Sequence, residues 1–372
     1  MGKINVLSVF GARPDTIKMC PLVLALGRDE GVHSLVCVTA QHREMVDQVM
    51  AAFGVKPDYD LDIMRHQQTL TDITNRVLTG MRGVLEAAKP GIVLVHGDTT
   101  TCFAAALAAF YAGVTVGHVE AGLRTETIDS PFPEELNRRL VGRIAKLHFA
   151  PTQRAADNLA AEGITTGVYM TGNTEIDALR YTVRKEYAFD AEALHGLDFG
   201  RNIVVVTAHR RENHGERLEN ILTAVRILSE THPDARFVFP VHPNPAVREK
   251  ARAILGGKPG ILLTEPLAVF DMHNLIARSS LVLTDSGGLQ EDAPALGAPV
   301  LVLRTETERP EVIEAGTAVL AGVETDNIVR LANTLLSDKS ARAAMVKSGS
   351  PFGDGYASER IVRAIKDHFI KE

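Results

Sequence analysis

Residues 281–288 read LVLTDSGG, an apolar run that ends in a threonine, an aspartate, a serine and two glycines. The run is unbroken rather than alternating, which favours a parallel strand buried on both faces. A helical pattern begins near Leu289, so the two glycines lie between a strand and a helix. Without side chains, the backbone there can approach a diphosphate, whose charge would meet N–H groups at the helix N-terminus. Close packing of the helix on the strand would explain the same glycines.

Similar apolar runs recur along the whole chain and alternate with helical patterns such as 70–88 and 217–230. This alternation predicts an α/β protein with two Rossmann-like, doubly wound parallel-sheet domains facing a cleft. We place the first domain at residues 1–172 and the second at 173–357. The predicted strands are 4–10, 34–39, 92–96, 114–120, 147–150, 168–170, 203–207, 237–241, 261–263, 281–284 and 300–303.

Composition excludes several classes of protein. The 372 residues carry a net charge of −6 at pH 7 and no basic tail or stripe, so a nucleic-acid or anionic-membrane partner lacks electrostatic support. No signal peptide precedes the first strand, and no apolar run reaches the roughly 18 residues that span a bilayer. The three cysteines form no CxxC pair, which argues against a disulfide scaffold or zinc site and predicts a cytoplasmic protein.

Chemically active side chains follow the predicted strands, at the edge where open α/β sheets bind ligands. They include acids, a histidine, basic residues and the serine–glycine loop: Arg13, Lys18, Asp98, Glu120, His209, Ser286, Gly287, Gly288 and Arg309. Their convergence from both halves of the chain predicts a ligand site. The glycines match neither GxGxxG nor a Walker loop, so neither NAD nor ATP is predicted.

An ordinary structural role is open for several of these residues. Asp98 would also fit the N-cap of the next helix, and Glu120 would also fit an exposed strand end. Glu134, with its neighbour Glu135, stands where acids favour a helix N-terminus. His209 would also fit the core as a buried histidine whose ring nitrogens are hydrogen-bonded.

Ten segments, in order along the chain, resemble the non-hydrolysing UDP-N-acetylglucosamine 2-epimerases. The resemblance covers nearly the whole chain, and agreement on this scale is not a chance event. The segments are FGARP at 10–14, TAQHR at 39–43, VHGDTT at 95–100, GHVEAGLR at 117–124, PFPEE at 131–135, HRREN at 209–213, VHPNP at 241–245, TDSGGLQE at 284–291, TERPE at 307–311 and GDG at 353–355.

The resemblance implies a GT-B-type fold whose final helix, at 358–372, packs back on the first domain. It implies an isomerase that interconverts UDP-N-acetylglucosamine and UDP-N-acetylmannosamine at C2 for cell-surface polysaccharide. In the family, UDP leaves by anti elimination and adds back to a 2-acetamidoglucal intermediate. The resemblance further implies no cofactor, no metal, a homodimer, and these two nucleotide sugars as partners, with no nucleic acid or membrane.

Residue by residue, the resemblance assigns catalysis to Asp98, Glu120, Glu134 and His209, with His209 placed towards the diphosphate. It assigns UDP binding to Arg13, Lys18, Ser286, Gly287, Gly288 and Arg309. Asp292 stands where the family has a ribose-binding glutamate, and Leu267 and Met272 stand where relatives often carry Gln and Phe near the uracil. Gln41, Arg210 and His242 match an activator site found in some relatives, whereas Glu44 and Gln67 replace its Gln and Arg.

Three other readings compete with this one. A GT-B glycosyltransferase would use the same glycine loop, but it needs at most one base, so the Asp98, Glu120 and Glu134 set favours the epimerase. A hydrolysing 2-epimerase would release UDP and free N-acetylmannosamine. A UDP-sugar sensor would need an output domain, for which the chain has no residues left over.

Overall fold

The computed structural model describes residues 2–40, 43–65, 67–347 and 349–371. The chain forms two compact units: residues up to Tyr181 with those from Phe352 onward, and Thr182–Pro351. The division therefore falls nine residues after 172 (181 − 172), in the last turn of a helix. Asp177 of that helix accepts hydrogen bonds from the N–H groups of Ala357 and Ser358, at 2.9 and 2.6 Å. These bonds tie the start of the last helix to the first unit.

Within the described residues, the first unit holds a seven-stranded parallel sheet in the order β3-β2-β1-β4-β5-β6-β7. Its strands are β1 Ile4–Phe10, β2 Val32–Val38, β3 Tyr59–Asp60, β4 Ile92–His96, β5 Thr115–Val119, β6 Leu147–Ala150 and β7 Val168–Met170. Its first seven helices are α1 Arg13–Arg28, α2 Arg43–Phe53, α3 Leu70–Ala88, α4 Thr100–Tyr111, α5 Glu134–Ile144, α6 Gln153–Ala161 and α7 Thr174–Thr182.

The described part of the second unit holds a six-stranded parallel sheet in the order β10-β9-β8-β11-β12-β13. Its strands are β8 Ile203–Thr207, β9 Arg236–Pro240, β10 Ile261–Thr264, β11 Leu281–Thr284, β12 Val300–Val302 and β13 Ala318–Leu320. Its helices are α8 Glu216–Thr231, α9 Pro245–Leu255, α10 Val269–Ile276, α11 Gly287–Ala295, α12 Pro310–Glu314, α13 Thr325–Ser337 and α14 Lys339–Val346; the chain then returns to the first unit as α15 Ala357–Lys371.

The apolar composition of the central strands explains why they lie in the middle of each sheet. β4, β8 and β11 are fully buried and consist of Val, Ile and Leu up to a final His or Thr, as a strand covered by helices on both faces requires. The prediction of two doubly wound parallel sheets is therefore confirmed. The short strands β3 and β13, of two and three residues, were not predicted.

Helix starts follow the sequence equally closely. Thr69 caps α3 by accepting from the N–H of Asp72 at 3.1 Å, and the Asp72 carboxylate accepts from the N–H of Thr69 at 2.9 Å. Such a reciprocal cap stabilises a helix by about 1 kcal/mol. Thr99 caps α4 in the same way, by accepting from Cys102 at 3.2 Å. Asp98 is therefore not the N-cap of that helix.

Each sheet reverses its winding at one point, between β1 and β4 in the first unit and between β8 and β11 in the second. Ligands of open α/β sheets bind beyond the carboxyl ends of such strands. Four candidate residues follow these strands within three positions: Arg13, Asp98, His209 and Ser286. Among the helices that the structure describes, none is both long and apolar enough to cross a membrane.

Candidate active site

Glu120 follows β5 in an unusual backbone conformation. Its φ of 61° is left-handed, which costs a residue with a side chain about 1 kcal/mol or more and persists only where surrounding contacts enforce it. The side chain is 8% exposed. The alternative of an exposed strand end is therefore wrong. Strain of this kind clusters at functional sites.

Donors from two distant segments orient the Glu120 carboxylate. Lys18 on α1 forms an ion pair with Oε1, and Nδ2 of Asn173 donates to the same oxygen at 2.9 Å. Lys18 also lies 3.7 Å from the carboxylate of Glu175. On the other side, Nε2 of His96 is 3.8 Å from Oε2. Burial lowers the pKa of His96 to about 4 despite the charge of Glu120, so this ring is neutral near pH 7.

Asp98 stands two residues after β4 and is held by α5. Nη2 of Arg138 lies 2.6 Å from its Oδ2, and Nδ2 of Asn137 donates to its backbone carbonyl at 2.9 Å. Gly97, with a φ of 65°, makes the turn that brings Asp98 to this position. Burial raises the pKa of Asp98, and the positive charge of Arg138 opposes that rise. A carboxyl group of this kind is well suited to donating as well as accepting a proton.

Glu134 is the first residue of α5, one helical turn before Arg138. Its charge is near enough to contribute to the raised pKa of Asp98. Glu135 has a different role, since its buried carboxylate accepts from the N–H of Thr125 at 3.1 Å and from Arg139 at 2.6 Å. Helix α5 therefore anchors Asp98 and brings a second carboxylate close to it.

The start of α1 adds a cation and a buried acid to this edge. Arg13 is the first residue of the helix, and burial lowers its pKa while the charge of Glu175 opposes the change. Asp15 accepts from the N–H of Ala12 at 3.2 Å. Burial raises the pKa of Asp15 to about 7, more than its backbone hydrogen bonds lower it, and the charge of Asp98 adds to the rise.

In the second unit, a buried aspartate lies behind the predicted catalytic histidine. Oδ2 of Asp285 accepts from the backbone N–H groups of His209 and Arg210, at 2.8 and 2.9 Å. Nδ1 of His209 is 3.2 Å from Oδ1. Burial alone would raise the pKa of Asp285, but these donors outweigh it and the pKa is lowered. The His209 side chain is 34% exposed, so the core-histidine alternative is wrong.

The two glycines differ in their surroundings. A Cβ on Gly287 would lie 2.9 Å from the tip of Glu308, whereas a Cβ on Gly288 would meet nothing within 4 Å. Close packing of helix on strand therefore does not explain Gly288. Ser286 occupies the N-cap position of α11 without a side-chain cap. The first N–H groups of the helix thus have no capping side chain of their own.

Three arginines near this loop, Arg210, Arg304 and Arg309, are each paired with a carboxylate. Arg309 bonds to the buried Glu291, and Arg304 lies 2.8 Å from Glu212. Glu308 forms ion pairs with Arg304 and, at 3.4 Å, with Arg210. Burial would raise the pKa of Glu308, but Arg304 and Arg309 lower it. A diphosphate arriving here would compete with these acids for the arginines.

The remaining predicted residues lie in different places. Asp292 is buried on α11, with its Oδ2 3.6 Å from Nε2 of His273. His242 stacks on His209, with ring centroids 5.5 Å apart; Leu267 is buried and Met272 is half-buried on α10. Of the other activator positions, Glu44 and Gln67 are exposed in the first unit and Gln41 lies outside the described residues.

The sequence reasoning missed several residues of these clusters, among them Asp285, Arg138, His96 and Asn173. Asp285 carried a signal, since it directly follows a strand inside TDSGG. Arg138 carried a weaker one, four residues after Glu134 on the same helix face. His96, at the end of β4, stood on the ligand edge. Asn173 carried none, because it is 53 positions from Glu120 and only the fold brings them together.

Comparison with known proteins identifies the family. The family model described as UDP-N-acetylglucosamine 2-epimerase matches residues 24–366. The Bacillus subtilis UDP-N-acetylglucosamine 2-epimerase is 52% identical over 370 residues, which cover 99% of this chain and 97% of that protein. The chain belongs to the UDP-N-acetylglucosamine 2-epimerase family. The predicted resemblance is therefore confirmed.

Solved structures of the family share the fold. The Neisseria meningitidis UDP-GlcNAc 2-epimerase, bound to UDP-GlcNAc, has a TM-score of 0.87 at 44% identity and covers 98% of this chain and 100% of its own. S. aureus MnaA, solved with UDP, has a TM-score of 0.89 at 46% identity and covers 99% and 97%. The two-sheet, GT-B-type architecture is thus that of the family, and the chain is an isomerase of this family.

Proposed function

We propose that the chain catalyses the reversible C2 epimerisation of UDP-N-acetylglucosamine to UDP-N-acetylmannosamine. A base removes the proton from C2, the C1–O bond to UDP breaks, and a C1=C2 double bond forms. UDP then adds back to C1 while C2 receives a proton on its opposite face. No atoms are gained or lost overall, so the reaction needs neither an oxidant nor a second substrate.

The carboxylates of the first unit carry this proposal. Proton transfer on two faces of one carbon requires more than one acid–base group. Asp98 and Glu134 are electrostatically coupled, and Glu120 is held in a strained conformation by donors from distant segments. We assign all three to proton transfer. Arg13 and Lys18 contribute positive charge at the same edge.

The second unit supports the retention of UDP. We assign the diphosphate to the uncapped N-terminus of α11 at Ser286, Gly287 and Gly288, with His209 and Arg309 as its side-chain donors. Helix N-termini and arginines bind phosphate oxygens well. We assign the ribose to Asp292, and the uracil to the segment that carries Leu267 and Met272. A supply of precursors for cell-surface polysaccharide, a cytoplasmic location and a homodimer stay predictions, as does the activator site at Gln41, Glu44, Gln67, Arg210 and His242.

Incubation with UDP-N-acetylglucosamine in deuterium oxide, followed by NMR of C2, tests the reaction. We expect deuterium at C2 of both epimers without added NAD or metal. Retention of the C2 hydrogen, or strict dependence on NAD, would contradict the elimination. Release of free N-acetylmannosamine would indicate the hydrolysing enzyme, and transfer of the sugar to an acceptor without epimerisation would indicate a glycosyltransferase.

A further inference from the structure

Asp285 is the most completely enclosed charged group in the second-unit cluster. It is fully buried, and a buried charge is tolerated only where donors compensate it. Three donors bond to Oδ2: the N–H groups of His209 and Arg210 and, at 3.0 Å, Nδ2 of Asn213. Asn213 also donates to the carbonyl of Leu303 at 3.0 Å. One carboxylate oxygen is thus satisfied, and Asp285 is fixed between β8, β11 and the end of β12.

Oδ1 accepts no hydrogen bond of ordinary geometry among the described residues. Apart from Nδ1 of His209, 3.2 Å away, it has no donor among the residues that the structure describes. A carboxylate oxygen only accepts hydrogen bonds, so Nδ1 must carry a proton for the pair to be favourable. The hydrogen bond made by one imidazole nitrogen determines which nitrogen is available for chemistry.

The same contact determines where the ring points. With Nδ1 turned towards buried Asp285, Nε2 lies on the opposite side of the ring, and the side chain is partly exposed. His242 stacks on one face of the ring at an interplanar angle of 11°. Contacts at one nitrogen and on one face together restrict rotation of the ring.

We propose that Asp285 is a positioning residue that fixes His209 with Nδ1 protonated and Nε2 directed at the diphosphate of UDP. The inference rests on the proposed function for the identity of the ligand. A phosphate oxygen only accepts, so Nε2 contacts it as an N–H donor. Because Nδ1 is already committed to Asp285, the ring takes this second proton from solvent, and the buried carboxylate supplies its counter-charge.

The first test is ¹⁵N NMR of the neutral form of the His209 ring in the ligand-free wild-type enzyme. We expect the proton on Nδ1. In Asp285→Asn, the amide oxygen is retained by the backbone donors and the amide NH₂ faces Nδ1, so we expect the proton on Nε2 instead. A wild-type ring protonated on Nε2 would overturn the proposal, whether or not any variant folds.

The second test is a double-mutant cycle on binding, with UDP and uridine as probes. We expect Asp285→Asn to weaken UDP binding on the order of 10-fold, the size of one lost charge-assisted hydrogen bond, and to leave uridine binding unchanged. The double variant with His209→Asn should bind UDP no worse than His209→Asn alone, because residues that act as one unit are not additive. Additive losses, or an equal loss for uridine, would overturn the proposal.

Asp338→Asn is the matched control, since this carboxylate also accepts two backbone N–H groups in the second unit, at the start of α14. Its UDP affinity should equal that of the wild type. If wild-type protein bound no UDP, the proposed function would fail, whereas the tautomer measurement would still decide the role of Asp285.

Discussion

The ligand edges of the two sheets differ in how they hold their buried carboxylates. In the first unit, Glu120 is held by side chains 102 and 53 positions away, Lys18 and Asn173. In the second unit, Asp285 is held largely by backbone N–H groups of one neighbouring loop. Burial raises the pKa of Asp98 at the first edge, whereas at the second edge burial would raise the pKa of Asp285 but its donors lower it. This difference supports the proposed proton transfer at the first edge and anion binding at the second.

The largest effect is expected from neutralising the first edge. Asp98→Asn, Glu120→Gln and Glu134→Gln should each lower kcat by at least about 10²-fold, a usual size for an acid–base group. Thermal unfolding should show an intact fold. Glu162→Gln is the control, because Glu162 pairs with Arg124 at 2.6 Å elsewhere in the same unit. Near wild-type turnover in all three variants would refute the assignment, and a change confined to KM would indicate a binding role.

A substitution at the second edge should change the affinity for UDP rather than kcat. Gly288→Ala has room for its methyl group in the ligand-free structure, yet that space is where we place the diphosphate. We expect UDP binding to weaken by about 10-fold, the equivalent of about 1.4 kcal/mol. Alanine in place of a helical glycine should raise stability by about 0.5–1 kcal/mol.

Gly83→Ala on α3 is the matched control, since its methyl group also meets nothing within 4 Å. It should gain similar stability without any change in UDP binding. Calorimetric titration with UDP measures both variants. An unchanged affinity in Gly288→Ala would show that the diphosphate does not approach this glycine.

Many features of the fold and of both edges could be predicted from sequence, because they depend on neighbouring residues in the chain. Strand runs such as 92–96 and the cap at Thr69 are local features, and both ends of helix α3 were predicted correctly. Asp98, Glu120 and His209 were found because they follow strands. Their partners were not, since Asn173 and Arg138 reach them only through the tertiary fold. The left-handed conformation of Glu120 likewise has no signal in a residue type that rarely adopts it.

Asp15 allows a pH test at the first edge that does not involve turnover. Its pKa is raised by burial to about 7 from the ordinary value of 3.8, so between these values the folded state holds more protons than the unfolded state. The free energy of unfolding should therefore fall as pH rises through this window. Asp15→Asn keeps an acceptor for the helix N–H but cannot ionise.

Relative to that variant, the wild type should lose at least about 1.4 kcal/mol of stability across the window, the equivalent of one pKa unit. Urea unfolding of both proteins between about pH 4 and 8 measures the difference. Parallel profiles would show that Asp15 ionises normally in the folded protein.

The smallest effect is expected from Arg309→Ala and concerns how well UDP is retained. In the proposed reaction the glucal and UDP must stay bound until they recombine, so weaker binding of UDP would release both as by-products. Arg309 is oriented by the buried Glu291, which favours a fixed guanidinium over a mobile one. We expect the ratio of released UDP to epimerised product to rise a few-fold, measured by chromatography of the reaction mixture. Arg330→Ala, whose guanidinium bonds Asn327 at the exposed surface of the same unit, should leave the ratio unchanged. If Arg309→Ala lowers kcat while the ratio stays at the wild-type value, this arginine acts in the chemical step. The second edge would then contribute to catalysis as well as to UDP binding.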